Sequence, residues 1–248
     1  MALYAMGDVH GSEADARWSV DHMDGELREG DALVCLGDVG IRYGRHVSWG
    51  LLGYLASLPC DVLVMRGNHD VRYCRDLRSG AFGRGVDTSW NGAPCMHDPE
   101  FPNVYYLRDL GGALDVDGHR CLYVPGAWSV DGALRRRLGM DFEPEEMLTA
   151  RERGWVSTWA RVSGARGRPV EHVLSHTCPA SWIPELGDLL LDGVDQSGVD
   201  RTMEDWMDRL LDEVRPTLRG WWFGHFHADR DVAGGLGHLL YADIRRVL

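Results

Sequence analysis

The sequence predicts an α/β fold with a partly parallel sheet. Three consecutive apolar runs are separated by two segments of helical character, and buried strands that alternate with helices are typical of βαβ units. The strands are predicted at Leu3–Met6, Ala32–Leu36 and Asp61–Met65, with helices at Glu13–Glu29 and at about His46–Ser57. The first third of the chain therefore predicts parallel strands whose carboxyl ends lie at one edge of a sheet.

The remaining sequence predicts a mixed arrangement. Residues 77–102 are rich in Gly, Pro, Asn and Asp and predict a long loop. Closely spaced apolar runs predict antiparallel strands, and an apolar stripe at helical spacing predicts a core-facing helix. The further predicted elements are strands Val104–Leu107, Gly112–Val116, Arg120–Val124, Val170–Leu174, Gly220–Phe223 and His238–Ile244, and helices Glu143–Val162 and Thr202–Val214.

Length and composition indicate a globular protein. The chain has 248 residues, of which 44% are hydrophobic and 26% charged, and these values exclude a largely disordered chain. No apolar run reaches the roughly 18 residues that a membrane-spanning helix needs. Met1 leads directly into an apolar strand without a basic region, which indicates no signal peptide and a cytoplasmic location. Without a linker or repeat, we predict a single domain over residues 1–248.

The charged residues and cysteines exclude several kinds of chemistry. The net charge is −12, and an acidic surface disfavours nucleic acid as a partner. All basic residues are arginine, so a lysine Schiff base and a P-loop lysine are excluded. The six cysteines form no CxxC pair and predict buried thiols rather than a zinc site.

Five predicted strands end in a glycine or serine followed by a side chain that can bind a metal. These dipeptides are Gly7-Asp8, Gly37-Asp38, Gly67-Asn68, Ser175-His176 and Gly224-His225. Glycine permits a tight turn and leaves room for a ligand, and ligands of open α/β sheets bind at the carboxyl ends of the strands. His10 and His227 each stand two residues after such a side chain, and residues i and i+2 of an extended segment face the same side.

The predicted ligand set is too large for one tetrahedral zinc ion. It consists of Asp8, His10, Asp38, Asn68, His176, His225 and His227. Seven ligands suit two divalent ions that share a bridging carboxylate, and two ions about 3.5–4 Å apart can generate a hydroxide and clamp a phosphoryl group. Mixed nitrogen and oxygen donors favour Mn²⁺, Fe, Zn²⁺ or Ni²⁺ over Mg²⁺ and Ca²⁺. We expect Mn²⁺.

The motifs, taken in order, resemble the signature of calcineurin-like metallophosphoesterases. They read Gly7-Asp8-Val9-His10-Gly11, Gly37-Asp38, Gly67-Asn68-His69-Asp70, Ser175-His176 and Gly224-His225-Phe226-His227. The resemblance implies a four-layer α/β/β/α sandwich with mixed sheets and a dimetal site at one edge. It implies a first metal held by Asp8, His10, Asp38 and His227, and a second held by Asp38, Asn68, His176 and His225. It also implies that His69 contacts the substrate phosphate and can protonate the leaving oxygen.

One motif departs from the branch of the family that contains the Ser/Thr protein phosphatases. That branch has GDxxDRG, whereas this chain has Ile41 in place of the second Asp and keeps Arg42, which we predict to bind phosphate. The resemblance therefore favours a phosphomonoesterase or phosphodiesterase, with a protein phosphatase or a dinucleoside polyphosphate hydrolase as alternatives. A metal-binding scaffold of the same fold is the non-enzymatic alternative. The roles of residues 77–102 and 129–170, the oligomeric state and the substrate do not follow from the sequence.

Overall fold

The computed structural model describes residues 1–139, 145–189 and 198–248. Its strands, in chain order, are β1 (Leu3–Met6), β2 (Ala32–Cys35), β3 (Arg42–Tyr43), β4 (His46–Val47), β5 (Asp61–Val64), β6 (Val86–Trp90), β7 (Ala93–His97), β8 (Val104–Leu107), β9 (Gly112–Val116), β10 (His119–Val124), β11 (Val170–Ser175), β12 (Gly220–Phe223), β13 (Arg230–Val232), β14 (Gly237–Leu239) and β15 (Ile244–Arg246). Its α-helices are α1 (Glu13–His22), α2 (Trp49–Ala56), α3 (Tyr73–Ser79), α4 (Gly132–Arg137), α5 (Ala150–Ala165) and α6 (Thr202–Val214).

Two mixed sheets carry the architecture. The first has the strand order β15-β1-β2-β5-β8-β7-β6, in which β1, β2, β5 and β8 are parallel neighbours. The second has the order β13-β14-β12-β11-β10-β9, in which β14, β12, β11 and β10 are parallel neighbours. The carboxyl ends of the central strands of each sheet therefore lie along one edge.

Side chains of β1 alternate between the two faces of the first sheet, and what each face packs against defines the layers. In β1, Tyr4 and Met6 pack into an apolar cluster with α2, whereas Leu3 and Ala5 pack into a cluster that also contains Trp222 of the second sheet. Successive strand residues face opposite sides, so both faces of the first sheet are buried. The first sheet thus has helices on one side and the second sheet on the other.

The second sheet is covered by helices on its outer face. Val173 of β11 and Trp221 of β12 share an apolar cluster with Met207 of α6 and Val156 of α5. The resulting order of layers is α/β/β/α, and the predicted mixed α/β fold is confirmed. No helix in the described ranges is both long enough and apolar enough to cross a membrane.

The predicted loop over residues 77–102 is wrong. Residues 86–97 form the antiparallel hairpin of β6 and β7, with Asn91 and Gly92 at positive φ in its turn. Asn-Gly is a strong hairpin signal because a tight type I′ turn needs two residues with positive φ. Strand β8 also differs from the prediction, since it pairs parallel with β5 and antiparallel with β7 rather than joining β9 and β10.

The predicted helix Glu143–Val162 instead begins at Ala150 and ends at Ala165. Thr149 and Glu152 form a capping box that starts the helix, and this T-x-x-E pattern is present in the sequence. Glu145 precedes the helix, while residues 143 and 144 lie outside the described residues.

Three further boundaries differ from the predictions. The first helix ends at His22 rather than at residue 29, because the chain turns at Gly25 and Gly30, both with positive φ. The second helix begins at Trp49, since the residues before it form β3 and β4. The predicted strand His238–Ile244 is two strands: β14 pairs with β12 in the second sheet, and β15 pairs with β1 in the first.

Candidate metal centre

The structure brings all seven predicted ligands together at the shared edge of the two sheets. They follow β1, β2 and β5 of the first sheet and β11 and β12 of the second. Two groups of side chains each place one ligand atom per residue within 4.8 Å of one another. The first group is Asp8, His10 and His227, and the second is Asp8, Asp38 and His176. Asp8 is common to both groups, whereas the family resemblance implies that Asp38 is the bridge.

The first group converges on one carboxylate. Asp8 Oδ2 lies 3.3 Å from His227 Nε2 and 3.8 Å from His10 Nε2. The two imidazole Nε2 atoms lie 2.8 Å apart. Two ring nitrogens and a carboxylate oxygen that face one point form a donor set suited to a divalent transition metal.

Asn68 and His225 lie beside Asp38 and His176 of the second group. His176 Nε2 lies 3.5 Å from Asp38 Oδ2 and 2.8 Å from Asn68 Oδ1. The ring of His225 packs edge-on against the ring of His176, with centroids 5.1 Å apart. Asp38, Asn68 and His176 are almost completely buried. Asp38, Asn68 and His176 thus place two oxygen donors and one nitrogen donor close together, with the His225 ring beside them.

Charges in this buried cluster shift the protonation of the imidazoles. Burial opposes protonation of His176, but Asp38 and Asp8 outweigh it and raise the pKa of His176 to about 9. Its Nδ1 therefore donates to the Leu36 carbonyl at 2.9 Å, while Nε2 donates to Asn68. The same burial, together with the neighbouring His176, lowers the pKa of His225. A cation bound at His176 would replace the Nε2 proton.

Four predicted ligands have a backbone conformation that is uncommon for residues other than glycine. The φ angles of His10, Asp38, His225 and His227 are 48°, 47°, 75° and 50°. Such conformations are costly and persist at functional sites, where the surrounding structure holds them. The turns after the strands therefore hold a strained backbone at the sheet edge where the ligands lie.

Glycines at two strand ends make room for the carboxylates. A Cβ atom on Gly67 would overlap Asp38, and one on Gly224 would overlap Asp8. Gly67 and Gly224 thus each leave room for a ligand carried by another strand end. This close approach is the structural reason for the repeated glycine motif.

Hydrogen bonds orient several of the ligands from outside the cluster. Tyr43 OH lies 3.2 Å from His10 Nδ1, and Asn68 Nδ2 donates to Ser129 Oγ at 2.8 Å. Such outer contacts fix which ring nitrogen or amide atom faces a metal. The sequence analysis did not identify Tyr43 or Ser129 as site residues, because each comes from a distant part of the chain.

Asp70 connects two of the turns that carry ligands. Its carboxylate accepts from the backbone N–H groups of Val39, Gly40 and Gly67 and from Tyr73 OH, at 2.7 to 3.1 Å. Asp70 thereby ties the turn after β2 to the turn after β5. It orients the turns and does not contribute to either candidate metal group.

His69 lies beside the centre and contacts an arginine from α4. Its Nε2 is 3.8 Å from Asp38 Oδ2, and its Nδ1 is in hydrogen-bonding contact with Arg135 Nη1. Arginine has only donors, so His69 Nδ1 is the acceptor and the ring proton lies on Nε2. Arg135 was not identified from the sequence, since nothing in the pattern of α4 distinguishes it from the neighbouring arginines.

Arg42 is engaged elsewhere. Its Nη1 donates to Asp76 at 2.7 Å and its Nε donates to the Gly44 carbonyl, with the guanidinium over the Phe82 ring. Ile41, which replaces the family's Asp, is completely buried in the apolar cluster of the first sheet. Ile41 therefore serves packing in this chain, and the contact made to His69 comes from α4.

A cavity of about 200 Å³ lies next to the cluster. Its lining includes the ligands Asp38, Asn68 and His225, and also Trp128, Arg201 and Glu204. Burial raises the pKa of Glu204, although a hydrogen bond from Thr177 opposes this. Trp182, in contrast, packs against Trp221 in the core of the second sheet.

Comparison with known proteins identifies the family. The profile of the calcineurin-like phosphoesterases matches residues 1–229. No curated protein matches the chain. Among solved structures, the phosphopantetheinyl hydrolase PptH from Mycobacterium tuberculosis aligns with a TM-score of 0.48 and 15% sequence identity, over 100% of this chain and 95% of that one. The family match covers most of the chain and includes every predicted ligand, so this chain belongs to the calcineurin-like phosphoesterase family and is a phosphoester hydrolase.

Proposed function

We propose that the chain hydrolyses phosphate mono- and diesters with two divalent cations bound at the edge shared by the two sheets. The observation that supports this most strongly is that seven predicted ligands from five separate strand ends lie at one edge, where five of them form two groups that share Asp8. Asp8, His10, Asp38 and His227 would hold one cation, and Asp38, Asn68, His176 and His225 the other. Their nitrogen and oxygen donors are compatible with Mn²⁺, which we expect, and with Fe, Zn²⁺ and Ni²⁺.

Bound divalent cations supply Lewis acidity that polarises the phosphoryl group and makes water a stronger nucleophile. The protein itself supplies a fixed set of donors around the reacting phosphate. Asp38 and Asn68 are held by backbone and Ser129 contacts, so the edge needs little reorganisation.

His69 is proposed to donate a hydrogen bond to an oxygen of the substrate. Arg135 occupies Nδ1, so the proton on Nε2 faces the side of the centre where Asp38 lies. A neutral imidazole held in this way is a good hydrogen-bond donor, but it delivers a proton only if Arg135 first leaves Nδ1. Protonation of the leaving oxygen by His69, which the family resemblance implies, therefore requires exchange of the Arg135 contact.

The substrate preference proposed here is for diesters and small phosphate esters rather than phosphoproteins. The support is the buried Ile41, which stands where the protein-phosphatase motif has a carboxylate. Arg42 stays a predicted phosphate ligand, and its binding to substrate would require exchange of the Asp76 ion pair.

The test measures metal content and turnover together. Purified protein loaded with Mn²⁺, Fe²⁺, Zn²⁺ or Ni²⁺ should bind two ions per chain and hydrolyse bis(4-nitrophenyl) phosphate at least as fast as phosphopeptides. Asp38→Asn should bind fewer ions and lose turnover, whereas Asp117→Asn, an isosteric change on the exposed turn between β9 and β10, should match the natural protein. Two fully bound ions with normal turnover in Asp38→Asn would contradict the bridging role. Phosphopeptide hydrolysis far faster than that of every diester would contradict the substrate preference.

A further inference from the structure

The cavity beside the candidate centre is placed to receive part of a substrate. It shares Asp38, Asn68, His225 and His227 with the proposed ligand set, so it lies directly beside the position proposed for the phosphate. At about 200 Å³ it accommodates a small ester group. A group in this cavity therefore lies next to the reacting phosphate.

The walls away from the proposed ligands combine apolar and aromatic side chains with the charged residues Asp131, Arg201 and Glu204. Trp128, from the segment after β10, and Phe226, from the motif after β12, both line the cavity, as does Val130. All three are partly exposed, so they present apolar surface to the space. Flat aromatic faces favour a planar group, because stacked or edge-on ring contacts add to the apolar burial.

One buried polar atom at this cavity lacks a partner. Glu204 is 2% exposed, and its Oε1 accepts a hydrogen bond from Thr177 Oγ1 at 3.1 Å. Its Oε2 is buried and has no hydrogen-bond partner in the part of the chain that the structure describes. A buried carboxyl oxygen without a partner is destabilising, and such an atom in a native site calls for a ligand that completes it.

We infer that the cavity binds the ester group of the substrate, and that this group is planar, apolar over most of its surface, and carries an N–H or O–H that donates to Glu204 Oε2. The inference rests on the proposed hydrolysis for the origin of the bound group. It makes Glu204 a specificity-determining residue: Glu204 recognises the ester group, while the reacting phosphate lies at the sheet edge. Apolar esters of the same size but without a donor bind less tightly, because they leave Oε2 unpartnered.

The test compares two aryl esters that differ in one donor. The esters are 4-acetamidophenyl phosphate, which has an N–H, and 4-methoxyphenyl phosphate, which has none, each also prepared as its methyl diester. One hydrogen bond to the otherwise unpartnered Glu204 Oε2 predicts a preference of about tenfold for the acetamido compounds, expressed mainly in KM. Binding of the two free phenols to the metal-free protein, followed by ligand-observed NMR, gives the same comparison without turnover.

Two variants of Glu204 separate recognition from structure. Glu204→Gln can keep the Thr177 hydrogen bond while presenting an N–H toward the ligand, and Glu204→Leu removes both interactions. Both should reduce the preference to about twofold or less. Asp205→Asn, an exposed acidic position in the same helical turn, should retain it. Trp128→Leu should weaken both phenols without changing their ratio.

The outcomes distinguish this inference from the proposed hydrolysis. Equal binding of the two phenols by the natural protein, or an unchanged preference in Glu204→Gln, overturns the inference even if turnover is rapid. Selective binding without turnover of any ester overturns the hydrolysis and supports the cavity assignment. Loss of the preference in Glu204→Gln with native thermal unfolding excludes a purely structural role for Glu204.

Discussion

Asp70 is the position where one substitution should affect both stability and the metal centre. Its two carboxylate oxygens accept four hydrogen bonds: Oδ2 accepts from Val39 N at 3.1 Å and Gly67 N at 2.9 Å, and Oδ1 from Gly40 N at 2.8 Å and Tyr73 OH at 2.7 Å. Asp70 is fully buried, so water cannot replace any of these acceptors.

Asp70→Asn keeps the shape of the side chain but replaces one acceptor oxygen by an NH₂ group. The less damaging orientation places the NH₂ at Oδ1, where the Tyr73 hydroxyl can rotate to accept, but the Gly40 N–H is then left without a partner. One unsatisfied buried donor costs about 1–3 kcal/mol, and two remaining bonds lose charge assistance, so we expect a net loss of about 3 kcal/mol. For a chain of this length that corresponds to a decrease in Tm of about 6–12 °C.

The metal centre should weaken with the same substitution, because Asp70 joins the turn that carries Asp38 to the turn that carries Asn68. Thermal unfolding of the metal-free protein measures the stability, and titration with Mn²⁺ measures the affinity. Asp98→Asn is the matched control: Asp98 is also buried and accepts backbone N–H groups of Arg84 and Glu100, but it lies away from the ligands. It should lower Tm without changing Mn²⁺ affinity.

Two results would refute this reasoning. A Tm within about 2 °C of the natural protein would show that the four hydrogen bonds to Asp70 do not carry the stability assigned to them. Equal loss of Mn²⁺ affinity in Asp70→Asn and Asp98→Asn would show that the effect follows general destabilisation rather than the connection between the two turns.

Three other predictions follow from the described contacts. Burial lowers the pKa of His172 from 6.5 to about 4. The contribution of His172 to the free energy of unfolding is therefore complete above pH 6.5 and is lost as the pH falls toward 4, by up to about 2 kcal/mol after allowance for solvent screening. His172→Leu should make the stability measured by urea unfolding less dependent on pH across that range, and an unchanged pH dependence would contradict this. The titratable and charged side chains around it are His119, Glu171, Arg219 and His238. Arg135→Met should move the proton of His69 between its ring nitrogens, visible in ¹⁵N shifts of the metal-free protein, and guanidinium should restore the natural pattern; shifts that do not change would contradict the contact. Gly67→Ala should remove Mn²⁺ binding because its Cβ would overlap Asp38, and a variant that binds Mn²⁺ normally would refute that close approach.

The edge of the two sheets was predictable because local sequence determines it. An apolar run that ends in glycine and a ligand encodes both the end of the strand and the side chain that follows it, as at Gly37 and Asp38. The same holds for α6, whose apolar stripe predicted Thr202–Val214 without error. Single-domain organisation over residues 1–248 stays a prediction.

Other features were missed although a local signal existed. The hairpin of β6 and β7 has Asn91-Gly92 at its turn, and α5 has the capping pair of Thr149 and Glu152. The composition of residues 77–102 outweighed the hairpin signal, and the helix start predicted at Glu143 overlooked the capping pair. The division of residues 237–246 between two sheets has no such signal, because it depends on which strand edges are free in three dimensions.

The elements that carry the proposed ligands differ from those that carry the cavity residues, and this difference bears on how substrate specificity arises. The proposed cation ligands come from strand ends, whereas Glu204 and Trp128, which are proposed to contact the rest of the substrate, come from α6 and from a loop. A strand end is constrained by the sheet, so its ligands change only with loss of the centre. A helix or loop beside the edge can change its side chains while the ligands stay in place. Substitutions of Glu204 and Trp128 should therefore alter which ester is preferred while two cations remain bound, and substitutions at the strand ends should abolish cation binding and turnover together.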